Sequence, residues 1–214
     1  MNITDKIKIT NEDNIDLMAR YPDNYFDLAI IDPPYGIKRF QEKRESKQRG
    51  AGSHVKSGEV LKWDIAPNFQ YFKELFRVSK NQIIWGSNNF NLPTSEYFLI
   101  WDKKQTVPNF ATAELAYVSM GLKTPAKIFQ YRIQKHNHVK KIHPTQKPVK
   151  LYEWLLMNYA KENDKILDTH FGSGSIAIAC NNLGFDLTAC ELDKEYYETA
   201  IKRIKLNIKQ QRLF

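Results

Sequence analysis

The residues with the clearest chemical potential are Asp32, Pro33, Pro34 and Tyr35, which follow an apolar run. Residues 26–32 (FDLAIID) are apolar at consecutive positions, which predicts a strand buried on both faces. Ligands of open α/β sheets bind outside the carboxyl ends of such strands. The turn offers a carboxylate, a proline carbonyl and an aromatic face, which together fit a planar base that carries an amino group. An ordinary turn at the end of a strand is the alternative.

A second segment, residues 166–175 (ILDTHFGSGS), has the pattern of a strand, a glycine turn and a helix start. Gly172 and Gly174 would let a ligand approach the backbone closely. Glu191 ends the next predicted strand, 19 residues after Gly172, which is the usual offset for a carboxylate that binds ribose hydroxyls. The pattern indicates a nucleoside cofactor. NAD is the competing interpretation, but Ala177 stands where the last glycine of the dinucleotide motif would be.

A third segment, His143-Pro144-Thr145-Gln146-Lys147-Pro148, leads into an apolar stretch with helical spacing over residues 149–160. A simple helix entry is one interpretation of it, because proline is favoured in the first turn. His143 has no acidic or cysteine partner at ligand spacing, so no metal site is predicted.

Composition narrows the class of protein. The 214 residues carry a net charge of +8 and a pI near 9.3, which suits a polyanionic partner or simply gives a basic surface. Cys180 and Cys190 lie in apolar runs and are interpreted as small buried side chains in a reducing compartment. No apolar stretch is long enough to span a bilayer and the first residues lack a signal core, so we expect a cytoplasmic protein without membrane contact.

Apolar runs typical of strands alternate with helical segments, which favours a mostly parallel sheet. The predicted strands are residues 7–9, 26–32, 82–86, 97–101, 114–119, 165–169 and 185–191. A final helix should begin near Asp193, since apolar residues recur after it at spacings of three and four. Residues 36–62 lack such periodicity and are rich in lysine and arginine, so we predict a long mobile loop there.

The segments DPPYGI, HPTQKPV and DTHFGSGS, in that order, resemble the β-class of DNA amino-methyltransferases. In that family the catalytic motif comes first and the cofactor motif last, a circular permutation of the usual order. The stretches RVSKNQIIWGSNNF and FLIWDKK are similar to those of its adenine-specific members. The resemblance implies an α/β, Rossmann-like methyltransferase fold in one domain over residues 1–214. Its mainly parallel seven-stranded sheet would have one antiparallel strand, and a small target-recognition segment would lie within residues 103–142.

The resemblance also implies an activity: methyl transfer from S-adenosylmethionine to N6 of an adenine flipped out of double-stranded DNA. The implied catalytic residues are Asp32, Pro33, Pro34 and Tyr35. The implied cofactor residues are Asp13, His143, Thr145, Lys147, Asp168, Phe171, Gly172, Ser173, Gly174, Ser175 and Glu191. The implied DNA contacts are Lys38, Arg39, Lys43, Arg44, Lys47 and Arg49. A homodimer and a cognate restriction endonuclease are left open as partners.

Two features keep alternatives open. Thr169 and His170 replace the Pro-Phe pair that is common in the family, so Phe171 lies one place later than the usual phenylalanine. Related enzymes that methylate N4 of cytosine usually carry serine in place of Asp32, and enzymes that act on protein amides show Asn-Pro-Pro-Tyr. A catalytically inactive DNA-binding module that kept the fold is the alternative of another class.

Overall fold

The computed structural model describes residues 2–36, 64–106, 108, 111–122, 125–132 and 141–211. In these residues the strands are β1 (Ile7–Asn11), β2 (Phe26–Ile31), β3 (Ser79–Trp85), β4 (Phe98–Asp102), β5 (Ala113–Val118), β6 (Ile128–Gln130), β7 (Lys165–Asp168) and β8 (Asp186–Glu191). The helices are α1 (Asn14–Ala19), α2 (Phe69–Val78), α3 (Val149–Tyr159), α4 (Ser175–Leu183) and α5 (Lys194–Gln211).

The strands form one eight-stranded sheet in the order β1-β8-β7-β2-β3-β5-β4-β6. Strand β5 runs antiparallel to both of its neighbours, and every other pairing is parallel. The mostly parallel sheet with one reversed strand is therefore confirmed, as are all seven predicted strands. The eighth strand, β6, was not predicted, because a three-residue edge strand has no periodicity to detect.

Alternation along the central strands divides the core into two layers. Leu28 and Ile30 of β2 face a cluster formed with α3, α4 and α5, whereas Ala29 and Ile31 face a cluster formed with α1 and α2. All four side chains are at most 1% exposed. Burial on both faces is what the consecutive apolar residues 26–32 predicted, and it requires helices on both sides of the sheet.

Local capping explains where the helices begin. Asp193 accepts hydrogen bonds from the backbone N–H groups of Glu195 and Tyr196 at 2.8 and 3.0 Å, so the predicted cap of α5 is confirmed. Asp13 caps α1 in the same way, through the N–H of Ile15 at 2.7 Å. Both caps lie just beyond the carboxyl ends of strands, and they direct the positive ends of α1 and α5 towards the same edge of the sheet.

The order of the strands places a crevice at that edge. From β2 the chain continues to β3 on one side, whereas β7 continues to β8 on the other, although β2 and β7 are neighbours. Connections that leave in opposite directions separate above the strands and open a ligand crevice. The turn after β2 and the turn after β7 therefore meet at one point, although they are more than 130 residues apart.

The packing of α3 gives a test of the core. Leu155 is fully buried and Met157, two residues on, is 65% exposed. We expect Leu155→Ala to lower the free energy of unfolding by about 2–5 kcal/mol, through lost burial and the cavity that remains. Met157→Ala should change it by less than about 0.5 kcal/mol. Urea unfolding of the two variants measures this, and equal losses would contradict the packing of α3.

Candidate active site

A cavity of about 1040 Å³ occupies the crevice at the carboxyl ends of β2, β7 and β8. Its walls come from residues 12–15, 32–35, 143–145 and 191–196, with further contributions from residues 64–71 and from the turn after β7. The volume lies at the upper end of the range for small-molecule sites, about 300–1000 Å³. Two of the three chemical segments found in the sequence therefore line the cavity directly, and the turn after β7 contributes part of the third.

Asp32 lies at the centre of a hydrogen-bonded cluster in the turn after β2. The hydroxyl of Tyr35 donates to its Oδ1 at 2.7 Å, and the Nζ atom of Lys147 lies 2.7 Å from its Oδ2. Lys147 also lies 3.0 Å from Oε2 of Glu114, whose other oxygen is 2.5 Å from the Nζ atom of Lys103. Each carboxylate thus has a cation beside it, and the carboxylates and ammonium groups alternate along the cluster.

Burial and neighbouring charge act against each other in this cluster. Burial raises the pKa of Asp32 and Glu114 adds to the rise, whereas the ammonium group of Lys147 opposes it. Burial alone would also raise the pKa of Glu114, but Lys147 and Lys103 outweigh it and lower that pKa to about 2. Burial disfavours the charged form of Lys147, yet the two carboxylates hold its pKa well above the usual value. The cation at the centre is therefore kept charged by its carboxylate partners.

The ring of Tyr35 is held by a glycine at the end of β3. Gly86 has φ of +69°, and a Cβ atom there would lie 2.1 Å from Cε1 of Tyr35. Phe90 meets the same ring edge-on, with 6.1 Å between centroids. The ring therefore occupies the space that a side chain at position 86 would fill. In this position Tyr35 binds Asp32 through its hydroxyl, and its predicted stacking on a base stays a prediction.

The glycine turn and β8 build the other end of the cavity. The two oxygens of Glu191 accept the backbone N–H groups of Gly172 and Asp193 at 2.7 and 3.0 Å. Burial is the main reason that the pKa of Glu191 is raised, and these two hydrogen bonds oppose the rise. Gly172 has φ of +49° and its Cα faces the ring of His143, where an added Cβ would be 3.6 Å away. A carboxylate and bare backbone thus lie together beside the cavity.

An aromatic pair covers this end. The rings of His143 and Tyr196 meet edge to face with 4.4 Å between centroids, and both residues line the cavity. Burial lowers the pKa of His143 to about 4, so its imidazole is neutral at physiological pH. The hydroxyl and N–H of Thr145 lie 3.1 and 3.4 Å from Nδ1 of this ring.

Beneath the cavity lies a buried carboxyl group without a cation beside it. Asp168, only 2% exposed, accepts the backbone N–H of His170 at 2.9 Å, and burial raises its pKa to about 8. Burial lowers the pKa of His170 to about 3, so that imidazole is neutral too. The hydroxyl of Tyr71 is 2.6 Å from Oγ1 of Thr169, which fixes the unusual Thr-His pair against α2.

The predicted site residues fall into three groups. Those on the cavity wall are Asp13, Asp32, Pro33, Pro34, Tyr35, His143, Thr145, Gly172 and Glu191. Those that lie behind the wall are Lys147, Asp168, Phe171, Ser173, Gly174 and Ser175, and they support the turn and the start of α4. Those outside the described residues are Lys38, Arg39, Lys43, Arg44, Lys47 and Arg49, together with nearly all of the predicted loop over residues 36–62.

Sequence reasoning missed four polar or aromatic residues of this region. Tyr71, His170 and Tyr196 line the cavity and Glu114 binds Lys147, but none was given a role. Glu114 carried a weak signal, since it is the single acidic residue in an otherwise apolar strand, β5. Among the described residues, no group of three or more His, Cys, Asp or Glu side chains is arranged to hold a metal ion. No helix in the described ranges is both long and apolar enough to cross a bilayer.

Comparison with known proteins identifies the family. The sequence profile of the N6/N4 DNA methylases matches residues 26–202, which include all three chemical segments. The chain belongs to the N6/N4 DNA methylase family. The methylase is 27% identical to the type II methyltransferase M.BglII of Bacillus subtilis over 90% of this chain and 67% of that protein. It is 26% identical to M.HinfI of Haemophilus influenzae over 95% of this chain and 70% of that protein.

Solved structures show the same fold. A complex of M1.HpyAVI with S-adenosylmethionine superposes with a TM-score of 0.59 at 21% identity, over 92% of the methylase and 98% of that chain. The PvuII DNA methyltransferase, which is cytosine-N4-specific, superposes with a TM-score of 0.62 at 13% identity, over 97% and 94%. The predicted family, methyltransferase fold and S-adenosylmethionine cofactor are confirmed. The cavity suits that cofactor, because Glu191 and the bare turn at Gly172 can receive a ribose and a nucleoside.

The buried carboxyl group of Asp168 gives a test of the site's electrostatics. Its folded-state pKa of about 8 lies above the ordinary 3.8, so the folded methylase holds a proton that the unfolded chain releases. Stability should therefore fall as the pH rises through this window. Asp168→Asn keeps an acceptor for the N–H of His170 and carries no charge, so its stability should fall less. Urea unfolding of both proteins at several pH values measures this, and parallel curves would contradict it.

Proposed function

We propose that this methylase transfers a methyl group from S-adenosylmethionine to the N6 amino group of an adenine in double-stranded DNA. The observation that carries the proposal is the position of Asp32. Its carboxylate lies on the cavity wall beside Pro33, where two oxygen acceptors can face one amino group. Asp32 also favours adenine over cytosine, since the cytosine-N4 enzymes that the sequence resembles usually carry serine there.

The chemistry requires an amino group that can act as a nucleophile. The lone pair of an exocyclic amino nitrogen is delocalised into the ring, so the group is planar and reacts poorly. Asp32 and the carbonyl of Pro33 would accept its two hydrogens and favour a pyramidal nitrogen whose lone pair is available. The charge that develops on this nitrogen during transfer would be stabilised by the carboxylate of Asp32.

The cofactor would occupy the part of the cavity between the glycine turn and His143. S-adenosylmethionine supplies a methyl group activated by a sulfonium. Glu191 would accept ribose hydroxyls through the lone pairs that Gly172 and Asp193 leave free, since a carboxylate can accept about four hydrogen bonds. Asp13 lies on the same wall and would contact the cofactor adenine.

The substrate base has to leave the duplex to reach this cavity, because its amino group is otherwise paired. Unstacking costs a few kcal/mol, about the amount that aromatic stacking and phosphate contacts can offset. The basic side chains within residues 36–62 would supply the phosphate contacts, and residues 103–142 would read the target sequence. A homodimer, a cognate restriction endonuclease and a cytoplasmic location are further parts of the proposal.

Mutation of the central carboxylate tests the mechanism. We expect Asp32→Ala to lower methyl transfer by about 10²–10⁴-fold, because the amino group loses its acceptor. Binding of S-adenosylmethionine, measured by calorimetry, should persist, since the cofactor residues lie elsewhere on the wall. Asp5→Ala, an exposed position outside the cavity, is the control. Wild-type turnover of Asp32→Ala would contradict the role.

The target base is tested directly by expressing the methylase in a host that lacks DNA methylation. Single-molecule sequencing of the host DNA should show N6-methyladenine at one recurring sequence, and the mark should be absent with Asp32→Ala. N4-methylcytosine instead would assign the cytosine alternative. A protein that binds S-adenosylmethionine and marks neither base would be the inactive DNA-binding module.

A further inference from the structure

Lys147 lies behind the catalytic turn, in a position that fits a role different from cofactor binding. Its side chain is 4% exposed and is absent from the cavity wall. Three oxygens lie within reach of its Nζ atom: Oδ2 of Asp32 at 2.7 Å, Oε2 of Glu114 at 3.0 Å and the hydroxyl of Tyr35 at 3.4 Å. An ammonium group has three N–H donors, so these oxygens account for all of them.

We propose that Lys147 is a positioning residue, whose ammonium group fixes the carboxylate of Asp32 in the orientation that receives the base, with Glu114 as the counter-ion that holds the lysine in place. The proposal rests on the proposed function, because it takes Asp32 as the acceptor of the amino group. It replaces the cofactor role that the sequence suggested for Lys147.

The geometry defines what the lysine does to Asp32. With Oδ2 bound to Lys147, rotation of the carboxylate would break a short contact between opposite charges in a buried site. Oδ1 accepts the hydroxyl of Tyr35 and keeps a second lone pair, which is available to an amino hydrogen. The lysine therefore selects which oxygen meets the base and prevents the carboxylate from turning.

The backbone of Lys147 is anchored independently of its ammonium group. Its carbonyl accepts the hydroxyl of Ser175 at 2.8 Å, and Ser175 also lies 3.0 Å from the guanidinium group of Arg203. These contacts tie the residue to the first turn of α4, which follows the glycine turn. The position of Lys147 is thus set by the cofactor end of the site, whereas its charge acts at the base end.

Glu114 completes the balance of charge. A lysine buried beside one carboxylate would be neutralised as a pair, but the strand β5 brings a second carboxylate and Lys103 brings a second cation. Glu114 is held ionised by the two lysines, so it attracts Lys147 permanently. Without Glu114 the ammonium group would have a single charged partner, and its position would depend on Asp32 alone.

The experiment compares Lys147→Met with Glu114→Gln and uses Lys150→Met as the matched control. Lys150 is three residues away and its side chain is 69% exposed. Calorimetry measures binding of S-adenosylmethionine to each protein, and steady-state kinetics measures kcat on DNA as a function of pH. The charged and titratable groups that act on Asp32 in this site are Lys147, Tyr35, Glu114, Tyr152 and Asp168.

Lys147→Met removes the cation that opposes protonation of Asp32. The acidic limb of the kcat profile should move to higher pH by about 1–3 units, with kcat at neutral pH lowered by at least about tenfold. Part of the rate should return at alkaline pH, and the dissociation constant of S-adenosylmethionine should stay within about twofold, since the ligand makes no contact with this side chain. Lys150→Met should match the wild type.

Glu114→Gln removes a like charge near Asp32, so its acidic limb should move to lower pH while the plateau of kcat falls, because Lys147 loses its second partner. Shifts of opposite sign in the two variants separate an electrostatic effect from general damage to the site. This second variant also carries the test if Lys147→Met does not fold.

Two results would overturn the inference. Weaker binding of S-adenosylmethionine with an unchanged kcat at saturation would assign Lys147 to the cofactor. An equal loss of kcat at every pH in both variants would leave the lysine a purely structural role. Failure of the proposed function is seen separately, in the wild-type protein, as a mark on cytosine or on neither base.

Discussion

The site depends on one buried ion pair, between Asp32 and Lys147. It joins the turn after β2 to the segment that precedes α3, and so connects two motifs separated by more than 110 residues. Removing one partner of such a pair leaves an uncompensated buried charge, which is costly. The catalytic carboxylate is therefore held by the same contact that closes the back of the cavity, and the rest of the site is arranged around it.

The sheet makes this contact available. Strands β2 and β7 are neighbours whose connections leave in opposite directions, so their turns converge above the sheet. The reversed strand β5 adds Glu114 to the same region. A permuted chain can thus build a methyltransferase site, because the crevice depends on the spatial order of the strands and not on the order in which the chain visits them.

Much of this arrangement was predictable from the sequence. The seven longer strands, the reversed strand, the cap of α5 at Asp193 and the meeting of the two main turns follow from periodicity, capping residues and family resemblance. The role of Lys147 was not predictable, because adjacency to Thr145 in the chain suggested the cofactor whereas the fold turns the side chain towards Asp32. Glu114 and Tyr71 were missed because their partners are distant in the chain, and no periodic pattern encodes such a pair.

The hydrogen bond from Tyr35 to Asp32 has a consequence for fidelity. The floor of the pocket is made of acceptors, with the carboxylate and the proline carbonyl facing inward and the one nearby hydroxyl already committed as a donor. Guanine and thymine present a ring carbonyl where adenine presents its amino group, so either base would set oxygen against oxygen in a partly buried site. Such a mismatch leaves polar atoms unpaired and is rejected strongly. Proofreading against oxo bases is thus inherent in the polarity of the pocket floor.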